Sequence, residues 1–266
     1  MNAPALPPPL PRAPGLWAAL GMLATYFLLQ LALSLLAGAA IGLVEALLHR
    51  GEPTARIHQY AAALMQRPDA LTLMVVVTVP LAALISLYLA WRCWPALWSL
   101  SPPPGFGMAR PSSPAFYLAA LACGLLLPPL GGLVTQWLAH GQPVTQNVEQ
   151  MGHSATPGLR LALALMVVSV GPLVEEVLFR GVLLSALLRR LPLGWSVAAC
   201  VLLFGAAHLP GLHFKWYALP DLMLLAVALC WLRLKSGSLW PAVLAHGVNN
   251  AVAMVALFAS LAQHHG

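Results

Sequence analysis

Charge is what this sequence has least of. Asp, Glu, Lys and Arg make up 8% of its 266 residues, against 60% hydrophobic. A soluble domain carries about a quarter charged residues, so a chain this poor in charge cannot give itself a surface that water dissolves. Basic residues outnumber acidic ones, 13 to 7, but they are spread along the loops with no basic stripe, which argues against nucleic acid as a partner. Cysteine is also scarce. Cys93, Cys123, Cys200 and Cys230 lie in or beside apolar runs without a CxxC pair, and they read as small buried hydrophobes rather than disulfides or metal ligands. There is no internal repeat and no HExxH motif.

Long apolar runs are what the chain has in abundance. A membrane span needs about 20 predominantly apolar residues. The candidate spans are Leu16–Leu48, Leu71–Leu97, Ala115–Leu138, Leu159–Leu188, Trp195–His208, Leu219–Leu234 and Leu239–Leu261. The expected fold class is therefore all-α, a polytopic transmembrane helix bundle of about seven spans, with eight as the upper count. The fourth run is too long for a simple span and the fifth is short. Residues 1–14 read as a proline-rich disordered tail, and 15–266 as a single membrane-embedded domain. The first run far exceeds the 7–15 apolar residues of a secretory leader, so it reads as a retained helix. Many of the 24 prolines and 21 glycines sit inside apolar runs, where membrane helices tolerate them. Pro128-Pro129 followed by Gly131-Gly132 predicts a kink in the third span.

With seven spans, one side receives Arg12, Arg92, Arg110, Arg189, Arg190, Arg233 and Lys235, and the other Arg50, Arg56, Arg67, Arg160 and Lys215. This moderate bias places the N-terminus in the cytoplasm.

Glu175 and Glu176 lie inside the fourth run. A charge at the bilayer centre costs about 2.5–3.5 kcal/mol on insertion scales, and adjacent carboxylates repel each other. Arg189 lies about 20 Å further along at 1.5 Å per residue, so the pair is deep rather than at the interface. A purely structural helix has no reason to carry it. Two more polar elements stand in apolar runs: Phe204-Gly-Ala-Ala-His208 and His246-Gly-Val-Asn-Asn250. Either histidine alone would read as a helix–helix contact. His246 and Asn250, however, are four apart and share a face, and glycines and alanines beside both histidines let helices approach closely. Helical rise puts His208 about 20 Å past Trp195 and His246 about 16 Å past Lys235. All three elements can therefore share one depth, expected to be reachable from the cytoplasm.

Glu175-Glu176-x-x-x-Arg180, Phe204-x-x-x-His208 and His246-x-x-x-Asn250, in this order and in separate apolar runs, resemble the CAAX protease and bacteriocin-processing family of intramembrane proteases. That family includes the Ras-converting CAAX prenyl endopeptidase. Pro172 and the Phe179-Arg180-Gly181 step are similar to it as well. The resemblance runs from about Gly171 to Asn250, and the first 150 residues match only as generic membrane helices. It implies an endopeptidase acting on a membrane-associated protein or peptide, of CAAX type or bacteriocin-like. It also implies a catalytic core at about 158–262 and a multi-pass protein of the bacterial inner membrane, with the lipid bilayer itself as a partner.

The residues themselves suggest a division of labour. A carboxylate with His208 can polarise a water, and His246 and Asn250 can donate to an oxyanion. Glu176 and Arg180 are four apart in the favourable order for a helical ion pair, whereas Glu175 is rotated about 100° away. Glu175 is thus expected as the base, and Glu176 with Arg180 as its supporting pair. No cofactor is required by this set. A zinc ion, if used, would take Glu175, His208 and His246; metal use stays open here, with metal-free chemistry favoured. Two rival readings are a secondary transporter, which predicts internal repeats, and a non-catalytic scaffold or immunity protein.

Overall fold

The computed structural model describes residues 13–142, 144 and 146–264. All but two residues of the expected tail lie outside the described residues. The described chain is all-helical, without strands. We number its helices α1 (Leu16–Leu48), α2 (Thr54–Met65), α3 (Pro68–Cys93), α4 (Ala115–Ala139), α5 (Asn147–Ser154), α6 (Pro157–Leu188), α7 (Leu193–His208), α8 (Leu219–Ser236) and α9 (Trp240–His264).

Among the described residues, six helices are long and apolar enough to cross a membrane: α1, α3, α4, α6, α8 and α9. They face outward with large apolar side chains such as Leu28, Leu35, Leu126, Leu133 and Trp137, a surface suited only to lipid. The seventh expected span, α7, has 16 residues. At 1.5 Å per residue it covers about 24 Å, short of the roughly 30 Å of a hydrocarbon core. It ends at His208 in a turn through Pro210–Leu212. α2 and α5 occupy the polar segments between spans. Neither was anticipated, because short polar helices carry no apolar run. α4 runs on through Pro128 and Pro129.

The length of α6 has a local explanation. It contains two π-helical stretches, Met166–Val170 and Val177–Leu183, and such stretches often lie at functional sites. Pro172 has no N–H to return to the carbonyl four residues back, and the chain widens just before it. From Val174 to Leu187 the helix is buried except at Glu175, packed among α1, α3, α7, α8 and α9.

The two ends of the bundle differ. At one end, residues 94–112 fold over the helices. Phe106 packs against Gly181, and Leu239 N–H donates to Gly107 O at 2.7 Å and Ser112 N–H to Ser236 O at 2.9 Å. Arg233 is fully buried there and donates to Gly105 O. It is therefore a structural tie rather than one of the exposed charges that set orientation. At the other end, Thr156 N–H donates to Asp69 Oδ1 at 2.7 Å, which satisfies the start of α6. The α5 segment packs there against the turn after α7.

Candidate active site

The three polar elements converge inside the helix bundle. Arg180 Nη1 donates to Glu176 Oε1 at 2.9 Å, with both side chains completely buried. His246 Nδ1 is 2.9 Å from the same carboxylate oxygen. Because an ionised carboxylate only accepts, His246 Nδ1–H is the donor. Glu176 therefore orients two partners, Arg180 in α6 and His246 in α9. His208 Nδ1 lies 2.8 Å from Phe204 O; a carbonyl also only accepts, so Nδ1–H donates here too. When either imidazole is neutral, its lone pair is then on Nε2.

Both Nε2 atoms face Glu175. Its Oε2 lies 3.6 Å from His208 Nε2 and 3.8 Å from His246 Nε2, beyond a direct hydrogen bond. Glu175 Oε2 is buried without a hydrogen-bond partner among the described residues. With both imidazoles neutral, three acceptors meet at a point where the described residues supply no donor. A buried acceptor without a donor is costly, and a water molecule, which donates two hydrogens, removes that cost.

Phe204 is the hub of the cluster. Its ring lies under the Arg180 guanidinium, 4.4 Å from Cζ. It also packs against both imidazoles, with ring centroids 4.5 Å from His208 and 5.8 Å from His246. A cation over an aromatic face is attracted to the ring quadrupole. The phenylalanine therefore helps hold a buried arginine that Glu176 and the Ala226 carbonyl, 3.3 Å from Nη2, do not fully satisfy.

α9 is held in register by the first π stretch. Asn250 Nδ2 donates to Val167 O at 2.9 Å, and a Cβ on Gly247 would come within 2.7 Å of Val168 O. Pro172 leaves Val168 O without its usual helical donor, and the bare glycine lets α9 lie against it. One hydrogen of the Asn250 amide is thus engaged in anchoring, which leaves the other for the oxyanion role expected from sequence.

Glu175, His208, His246 and Asn250 open on a cavity of about 400 Å³. Tyr26 of α1 and Asp221 of α8 also line it. Sequence reasoning missed both: Tyr26 is an aromatic in an apolar run, and Asp221 reads as an ordinary helix-start acid. The remaining wall includes Gln146, Asn147, Met151, Gly211 and Leu212, but nothing from residues 94–112 or 189–192. The cavity therefore reaches the end opposite the loops that carry Arg92, Arg110 and Arg189. Entry from that basic end, expected from the depth of the motifs, is corrected. The cause is the turn after α7, which places the short helix's C-terminus beside α5. A cysteine introduced by Gly211→Cys should react with a membrane-impermeant thiol reagent on the side opposite the one reported by a fusion after Arg110. Labelling on the same side would contradict this geometry.

Carboxylate and imidazole are donors that zinc accepts, and Glu175, His208 and His246 are the residues that would hold the ion. Zinc bonds of 2.0–2.1 Å in a tetrahedron separate ligand atoms by about 3.4 Å, a few tenths of an ångström less than the 3.6 and 3.8 Å found here.

The family model for the type II CAAX prenyl endopeptidase, Rce1-like, matches residues 157–252. Over that segment, about a third of the chain, the sequence is similar to this family. The matched segment starts at the first residue of α6 and takes in all six polar residues of the cluster. The six apolar helices among the described residues make the chain a multi-pass membrane protein. No curated protein and no solved structure matches the chain.

Proposed function

We propose that the chain hydrolyses a peptide bond of a membrane-associated substrate with a water held by Glu175, His208 and His246, within a catalytic core at 158–262. The observation that carries this reading is the donor-free meeting of Glu175 Oε2 with two imidazole Nε2 atoms at 3.6 and 3.8 Å. Glu175 takes a proton from the water as its oxygen bonds to the scissile carbonyl carbon. That proton is relayed from Glu175 to His246 Nε2, 3.8 Å away, and the imidazolium so formed, supported by the Glu176 carboxylate through Nδ1, meets the negative charge that develops on the carbonyl oxygen. The second amide hydrogen of Asn250 adds to that stabilisation. The carbon–nitrogen bond then breaks, and the same proton passes back to Glu175 and on to the leaving amine, directly or through His208.

Hydrolysis of an internally quenched farnesylated CAAX-type peptide by the purified protein in detergent micelles is the direct test. Cleavage is expected with the wild type and absent with His208→Ala and His246→Ala, both still folded. Asn250→Ala should slow it, by less than the 10²–10³-fold of a fully committed oxyanion donor, because its amide is shared with Val167. Cleavage is expected to persist in EDTA and 1,10-phenanthroline. Loss in chelator, restored by zinc, would replace the metal-free water with a metal-bound one. Equal rates in all four proteins would sink the catalytic reading.

A further inference from the structure

Asp221 is the second carboxylate on the catalytic cavity and has no part in the chemistry above. It lies in the first turn of α8, where the helix dipole favours an acid. Its carboxylate, however, meets no hydrogen-bond or ion-pair partner among the described residues. α4 is shaped to admit it, since a Cβ on Gly131 would overlap Asp221 Oδ1.

Asp221 stands where the catalytic cavity meets a second one of about 610 Å³, and Gln146, Leu212, Asp221 and Leu222 line both. The second cavity is neutral elsewhere, with Thr135, Gln136 and Gln142 as its polar wall. Thr135 is 9% exposed, and its hydroxyl is buried without a partner among the described residues. Among the described residues, no lysine or arginine lines either cavity. The site therefore combines one uncompensated negative charge, an unsatisfied hydroxyl and neutral amides, and it is continuous with the place where a peptide would be cut.

We propose that this second cavity is a substrate subsite for the ammonium or guanidinium group of a basic residue flanking the scissile bond, with Asp221 as its counter-charge. The identity of the occupant rests on the endopeptidase reading. The volume suits a long side chain rather than a bare cation. Ala139, Val144, Leu212 and Leu222 supply the apolar wall along which a lysine or arginine stem lies while its head stays polar.

The test uses the full-length protein with Glu175→Gln, so that bound peptide is not consumed. The probes are fluorescein-labelled apolar peptides carrying one lysine at each position in turn, with norleucine and glutamate counterparts. At one position, lysine is expected to bind about tenfold or more tighter than norleucine, and glutamate more weakly than norleucine. Adding Asp221→Asn should bring the lysine-to-norleucine ratio to about one. Absence of a lysine preference at every position, or its survival in Asp221→Asn, overturns the proposal. If Asp221→Asn does not fold, the ordering of lysine, norleucine and glutamate in the Asp221 protein decides. The same peptides offered to the protein with Glu175 intact separate the two readings: lysine-selective binding without hydrolysis supports the subsite and removes the endopeptidase.

Discussion

Glu175→Gln is expected to eliminate peptide hydrolysis while leaving thermal unfolding nearly unchanged. General-base catalysis contributes about 10²–10⁴-fold, and glutamine keeps the shape of the side chain but cannot accept the water's proton. The stability half of the expectation comes from what Glu175 lacks. Its nearest polar neighbours are imidazole nitrogens at 3.6 and 3.8 Å, so no direct hydrogen bond is broken. Its side chain is 22% exposed, on the cavity side, and no partner is left stranded in the core. Glu176 is the opposite case, fully buried and shared between Arg180 and His246. Peptide cleavage and thermal unfolding of Glu175→Gln and Glu176→Gln, measured side by side, distinguish the two carboxylates. Should Glu175→Gln still cleave while Glu176→Gln folds normally and is inactive, the assignment is reversed.

The division between these glutamates was legible in the sequence because it depends only on helical angle. The i, i+4 spacing of Glu176 and Arg180 survives although the π stretch begins between them, and the ion pair forms as expected. The shared face of His246 and Asn250 also holds, but with different partners. His246 turns to Glu176 on another helix, and Asn250 to the Val167 carbonyl in the first π stretch. Neither contact leaves a trace in spacing, since each depends on how α9 lies against α6. The π stretches were equally hidden. In a run such as Met166-Val-Val-Ser-Val170, apolar on nearly every side, there is no polar face whose drift would reveal a change of helical period. Uniform hydrophobicity also concealed which spans line the cavity. A lipid-facing leucine and a core leucine read alike, so the contribution of α1 through Tyr26 and the direction in which the cavity opens required the folded chain.

Removing Arg180 should be the most destabilising change in the cluster, and removing its partner with it should be less damaging than either single loss. Arg180 is fully buried, bonded to Glu176 at 2.9 Å and to Ala226 O at 3.3 Å, with Phe204 beneath its guanidinium. Taking away one member of a buried ion pair costs about 3–5 kcal/mol, because the other charge is left uncompensated. Arg180→Met strands the Glu176 carboxylate with only His246 to answer it. Glu176→Gln strands a guanidinium between a carbonyl and an aromatic ring. The double variant Glu176→Gln with Arg180→Met strands neither. Paired removal of buried charges is often neutral once volume is conserved, so it should unfold at a higher temperature than either single variant. Contacting residues of this kind are expected to be non-additive by about 0.5–3 kcal/mol. Activity should not follow stability. His246 still loses the carboxylate that fixes Nδ1–H and supports a proton on Nε2, and the double variant should remain inactive although it folds. Thermal unfolding and peptide cleavage across the three proteins decide the matter. Additive losses of stability would show that the pair is not the energetic unit described here. A double variant that regains cleavage would show that Glu176 serves Arg180 alone and that its bond to His246 has no part in the reaction.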